Sequence, residues 1–116
     1  MKTLFFATIF LIAFISPNLQ IHAQVSKEQA IDSVLSKMTS KELSDFNILL
    51  FPELIEGNEF HLSPYHLLQS PYDISWLFFI DMIPMAQWEH YCKYLFIDQQ
   101  TGNITWINSK IPPTDY

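Results

Sequence analysis

A strand that is apolar on both of its sides is the strongest constraint on this chain. From Ser75 to Asp81 the sequence reads SWLFFID. On a strand, Trp76, Phe78 and Ile80 share one side, and Leu77 and Phe79 share the other. Such a strand is either covered on both faces or leaves an apolar patch for a partner. Its neighbours read as strands too. Pro84 to Glu89 makes a connection to a second run, Tyr91 to Asp98. There Cys92, Tyr94 and Phe96 lie on one side, with Lys93, Leu95 and Ile97 on the other. Asp98-Gln99-Gln100-Thr101-Gly102 is a tight hairpin turn, with Gly102 suited to positive φ and with Asp98 and Thr101 able to bond the freed amides. Ile104 to Asn108 is the third strand, and Pro112-Pro113 bars further ladder pairing.

The preceding segment supplies the cover. Val25 to Met38 has helical periodicity. Ser26 is placed as N-cap with Gln29 three residues on, as in a capping box, and Glu28 sits in the first turn. Ile31, Val34, Leu35 and Met38 form one apolar stripe, wide enough for one face of a sheet. Ser40-Lys41-Glu42-Leu43 can start one more helical turn. Phe46 to Phe51 (FNILLF) reads as a strand stopped by Pro52. Gly57-Asn58 is a turn, Glu59 to Leu62 a further short strand, and Ser63 to Asp73 a loop whose aromatics pack on the domain. The expected class is α+β: one or two helices on an antiparallel sheet of three to five strands. Either FNILLF and the 59–73 stretch cover the second face of the central strand, or that face is left for a partner.

The first residues follow a different logic. Met1-Lys2-Thr3 is a short positive segment, and Leu4 to Ile15 is an uncharged apolar run. Ser16-Pro17-Asn18 breaks it, and Ala23 supplies a small residue at its end. That order predicts a signal peptide over residues 1–23, cleaved after Ala23, and a single domain over 24–116. The apolar run is shorter than the roughly 20 residues of a spanning helix, so no stable membrane anchor is expected after leader removal. The expected destination is secreted or periplasmic. The chain has a formal net charge of −6 and no arginine, which argues against nucleic acid and anionic membranes as partners.

The helix opening Ser26-Lys27-Glu28-Gln29-Ala30-Ile31 and the hairpin from Tyr94 through Asp98-Gln99-Gln100-Thr101-Gly102-Asn103-Ile104 together resemble the PepSY domain. That family occurs in propeptides of thermolysin-type secreted proteases and in other exported bacterial proteins. The resemblance covers the first helix and the last two strands. It implies a helix packed on an antiparallel sheet, and a binding or inhibitory role rather than catalysis. The linking segment Thr39 to Asp73 is longer than the family's, and Trp88-Glu89-His90-Tyr91-Cys92 lies outside its pattern.

Two constellations bear on chemistry. His90 and Cys92 are two apart on a strand, about 6.5 Å by Cα, and a Cys–His pair can generate a thiolate nucleophile. The competing reading is a small buried thiol with His90 at the wet end of its strand. His61, His66, His90 and Cys92 have ligand types that suit zinc or copper, but Pro64 between the first two leaves no usual ligand spacing. Glu53, Glu56, Glu59, Asp73, Asp81, Glu89 and Asp98 are scattered and read as a solvated acidic surface. The sequence therefore favours a non-enzymatic module without cofactor. Its expected partner is an exported protein, a protease first among them, met through Trp88, His90 and Trp76 and the neighbouring sheet edge. The alternative is a small metal- or thiol-dependent site on His90 and Cys92. Trp106 is expected in the core, and Trp88, in a connection, on the surface.

Overall fold

The computed structural model describes residues 24–86 and 88–113. The leader and its cleavage point lie outside the described residues. Among the described residues, two helices, α1 (Lys27–Ser36) and α2 (Ser40–Asp45), precede seven strands: β1 (Asn47–Leu50), β2 (Ile55–Glu56), β3 (Glu59–Ser63), β4 (His66–Gln69), β5 (Ile74–Asp81), β6 (Cys92–Asp98) and β7 (Ile104–Ser109). β1, β5, β6 and β7 lie side by side in an antiparallel sheet, and β2 pairs with the β5 end that β1 leaves free. β3 and β4 form a separate two-stranded hairpin. The class is α+β. Among the described residues no helix is long and apolar enough to cross a membrane.

Both faces of β5 are covered from within the chain. On one face Leu77 and Phe79 pack with Cys92, Tyr94, Phe96, Ile55 and Leu68, and Phe60 and Leu62 of the β3–β4 hairpin close over them. On the other, Trp76, Phe78, Leu95 and Ile97 pack against Ala30 and Val34 of α1, with Ile48 and Leu50 of β1 at the side. FNILLF is thus a strand of the sheet rather than a cover. The 63–73 stretch, read as a loop, contains β4. Period-2 apolar residues on both strands of the hairpin turn Phe60 and Leu68 inward. Of the aromatics in that stretch, Tyr72 packs on the domain, and its hydroxyl bonds Thr105 Oγ1 at 2.8 Å. Tyr65, at the hairpin tip, is 99 % exposed, which corrects the expectation for it.

α1 starts where its capping box predicts. Ser26 Oγ accepts from Gln29 N at 3.1 Å, and Gln29 Oε1 accepts from Ser26 N at 2.8 Å. A second capping box, Thr39 with Glu42, starts α2. The buried face of α1 is rotated from the expected stripe: Ala30 and Val34 are fully buried while Leu35 is exposed. Ala30 and Val34, four residues apart, stack on one side of the helix against Trp76, Phe78, Leu95 and Ile97, and Leu35 falls outside that line. The start of the helix is pinned to the β6–β7 turn. Val25 N donates to Gln99 O at 2.8 Å, and Trp76 Nε1 donates to Val25 O at 3.0 Å.

The turn itself is as read. Gly102 has φ +80°, its N–H donates to Asp98 O at 2.8 Å, and Asp98 and Thr101 accept from the amides of Gln100 and Asn103. A Cβ at Gly102 would meet Val25 Cγ2 at 3.5 Å, ordinary contact, so the cost of a side chain there is conformational. Gly102→Ala is expected to lower the unfolding free energy by about 1 kcal/mol or more. A urea midpoint equal to the parent's would overturn that.

Candidate functional site

The connection from β5 to β6 is built around a buried carboxylate. Asp81 ends β5, directly across from Cys92 at the start of β6, and is wholly inaccessible to solvent. Its Oδ1 accepts from Ile83 N at 3.0 Å, which turns the chain out of the sheet. A further turn closes with Ala86 N donating to Ile83 O at 3.0 Å. The chain then returns to His90, whose ring is buried beside Asp81. His90 Nδ1 lies 2.6 Å from Trp88 O, and Nε2 lies 2.7 Å from Asp81 Oδ1. A carbonyl only accepts, so Nδ1 carries a proton. One further proton is shared between Nε2 and Oδ1. His90 N also donates to Lys110 O at 3.1 Å, tying the connection to the segment after β7.

The electrostatics follow from this geometry. The Trp88 carbonyl raises the His90 pKa above its ordinary value; desolvation opposes the rise, and the bond to Asp81 and its charge add to it. When protonated, the imidazole forms an ion pair with the carboxylate, two charges each expensive to bury alone. Asp81 Oδ2 is buried with no hydrogen-bond partner among the described residues, so Oδ1 carries the compensation.

Cys92 is buried, as one of the two sequence readings held. Desolvation pushes its thiol pKa up and the Asp81 charge adds to that, while bonds from the Ser109 side chain and the Ile111 backbone pull the other way. Tyr94, next along the same face, donates its hydroxyl to Ile111 O at 2.8 Å, and burial pushes its pKa up as well. His66 of the hairpin meets the Tyr94 ring edge-on at 6.0 Å between centroids. Both nitrogens of His90 are engaged elsewhere, so the imidazole does not serve the thiol as a base, and the burial of the thiol and the Asp81 charge disfavour a thiolate. The native thiol is therefore expected to resist a thiol reagent and to react promptly in denaturant. Fast native labelling would overturn this.

The four residues weighed as metal ligands are dispersed. His61 is exposed on the outer side of the hairpin, opposite Leu67, while His66 turns inward to Tyr94. Among the described residues no group of three or more His, Cys, Asp or Glu side chains is placed to hold a metal ion.

The connection also exposes large apolar side chains. Met85 is 89 % exposed, Trp88 73 % and Tyr91 59 %. Ile83, close before Met85 in the chain, and Ile111, which follows Lys110, are exposed as well, and the Lys110 ammonium sits 5.1 Å from the Tyr91 ring centroid. Of the three residues expected at a partner surface, only Trp88 is exposed. Trp76 is buried because its ring fills the space between β5 and α1 and its indole N–H caps the Val25 carbonyl. His90 is buried because Asp81 draws it inward, away from the wet strand end expected for it. Trp106, expected in the core, is 40 % exposed on the last strand, with Lys93 Nζ 5.4 Å from its ring centroid.

Asp81, read among the solvated acids, is the residue that sequence reasoning missed. Its signal was position: a lone charge closing a run that is otherwise apolar on both sides. Apolar clefts elsewhere are small. One of about 200 Å³ lies between α1 and β1, lined by Ile31, Val34, Ile48 and Phe78, and one of about 280 Å³ lies beside Phe51, Leu54 and Phe60. Ordinary small-molecule sites hold about 300–1,000 Å³ and bring polar groups together.

No protein-family model matches the chain, and neither a curated protein nor a solved structure matches it.

Proposed function

We propose that this domain is a non-enzymatic binding module that engages another exported protein through the surface around Trp88. The observation that carries the reading is a large indole 73 % exposed on a connection whose base is clamped by the Asp81–His90 pair and the Lys110 carbonyl. An exposed aromatic anchor on a held backbone costs little ordering on binding, and tryptophan is enriched among the residues that dominate interfaces. Met85 and Tyr91, before and after it in the chain, are exposed as well.

The charged leader-like start of the chain supports a place of action outside the cytoplasm, secreted or periplasmic. The PepSY-like helix and hairpin support a propeptide-like inhibitor, with a thermolysin-type secreted protease as the partner. The buried thiol and the fully engaged imidazole support binding rather than catalysis.

The experiment is inhibition and direct binding of a thermolysin-type protease by the purified protein and by its Trp88→Ala variant. The parent should bind. Trp88→Ala should lose about 2 kcal/mol or more of binding, roughly thirtyfold, with fold stability within about 0.5 kcal/mol of the parent. A parent without affinity for such proteases removes the inhibitor reading. A Trp88→Ala variant that unfolds, or binds as the parent does, removes Trp88 from the interface.

A further inference from the structure

The two edges of the sheet are not alike. One edge is built from β1 and β2, four and two residues long, separated by a segment that contains Pro52. Short strands and a proline are devices that keep an edge from pairing with another chain. The other edge is β7, six residues reading ITWINS, with no charge, no proline and a continuous register against β6. Its outward backbone groups can be named. Asp98 N donates to Asn103 O, which makes that pair a bonded one in the antiparallel ladder. Alternation then makes Thr105, Ile107 and Ser109 the residues bonded to β6, and turns the amides and carbonyls of Ile104, Trp106 and Asn108 outward.

We propose that β7 is a homodimer interface, in which β7 of a second copy adds antiparallel about a two-fold axis at Trp106. This goes beyond the Trp88 surface, and is independent of it. In that register every outward residue meets an outward residue: Trp106 faces Trp106, and Ile104 faces Asn108. The two Trp106 rings lie side by side on the α1 face, each covering part of the other's exposed area. No charge on β7 opposes a like charge. Lys110 of one copy falls opposite Gly102 of the other, beside the turn that holds Asp98, so the approach of two acidic chains is offset at that point. The broken edge of β1 and β2 does not offer β7 a continuous partner. The contact therefore closes on itself as a dimer instead of propagating as a filament.

Sedimentation of the purified protein over a wide concentration range, beside the Asn108→Pro and Trp106→Lys variants, tests this. Proline at position 108 removes an outward N–H and leaves the ladder to β6 intact. Lysine at position 106 places two cations face to face on the axis. The parent should sediment at twice the chain mass. Each variant should raise the dimer dissociation constant by about tenfold or more, with circular dichroism unchanged. Trp88→Ala should dimerise as the parent does. A parent that is monomeric throughout, or both variants folded and dimerising like the parent, overturns the proposal.

Discussion

His90→Ala is expected to lower the unfolding free energy by about 3–5 kcal/mol, the cost of leaving a buried charge without its partner. The imidazole does two things at once. It compensates the Asp81 carboxylate at 2.7 Å, and it holds the Trp88 carbonyl at 2.6 Å. Alanine leaves Asp81 with one short bond from Ile83 N and no countercharge. If that reasoning is right, Asp81→Ala in the His90→Ala background should recover much of the loss, because no buried charge then remains. Urea unfolding of the two single variants and the double variant measures this. A His90→Ala loss under about 1 kcal/mol would show that the pair is not coupled as the geometry implies.

The same pair sets a pH dependence whose sign is fixed. The native His90 pKa is raised, first by the Trp88 carbonyl, against the opposing desolvation, and further by Asp81. The folded state therefore holds the proton to higher pH than the unfolded chain does. Its contribution to stability is fully present below the ordinary histidine value of about 6.5, and is lost as pH rises through the folded value. Cys92 and Tyr94 are raised too, chiefly by burial, so they add a further fall in stability, beginning at their own higher ordinary values. Stability should thus decline in stages from neutral to alkaline pH. The first stage should vanish in His90→Ala, and the later stages should remain.

Trp76→Ala is the second large effect, expected at about 3–5 kcal/mol. The ring packs with Phe78, Leu95, Ile97 and the α1 residues Ala30 and Val34, and its N–H donates to Val25 O at 3.0 Å. Its loss opens a cavity between sheet and helix and frees the helix start together. Trp76→Phe, which keeps an aromatic ring and loses the donor, should cost less, on the order of 1 kcal/mol beyond the lost ring area. Trp88→Ala should cost almost nothing in stability, and Trp106→Ala an intermediate amount, because half-exposed area yields less when removed. Denaturant midpoints of the three alanine variants should rank in that order. A Trp76→Ala cost no greater than that of Trp88→Ala would mean the α1–β5 interface is loose.

Local chemistry made several elements of this protein legible from its residues alone. The Ser26–Gln29 capping box, the Asp98–Gly102 turn and the apolar run of β5 each depend on interactions within a few residues, so spacing specifies them. The burial of Cys92 and the exposure of Trp88 followed from a lone thiol inside a strand and an indole inside a connection. What covers each face of β5 was a matter for the tertiary structure, because a hairpin and a loop of the same composition differ only in whether a second strand finds its partner. Trp76 and Trp106 sit on β5 and β7, either side of β6, and share the α1 face of the sheet, yet the central strand buries one and the edge strand exposes the other. Asp81 and His90 are nine residues apart and read as two surface groups. They become one buried hydrogen-bonded pair only because the connection folds back over the end of the sheet. There desolvation makes each group's charge depend on the other, and no spacing rule along the chain records that dependence.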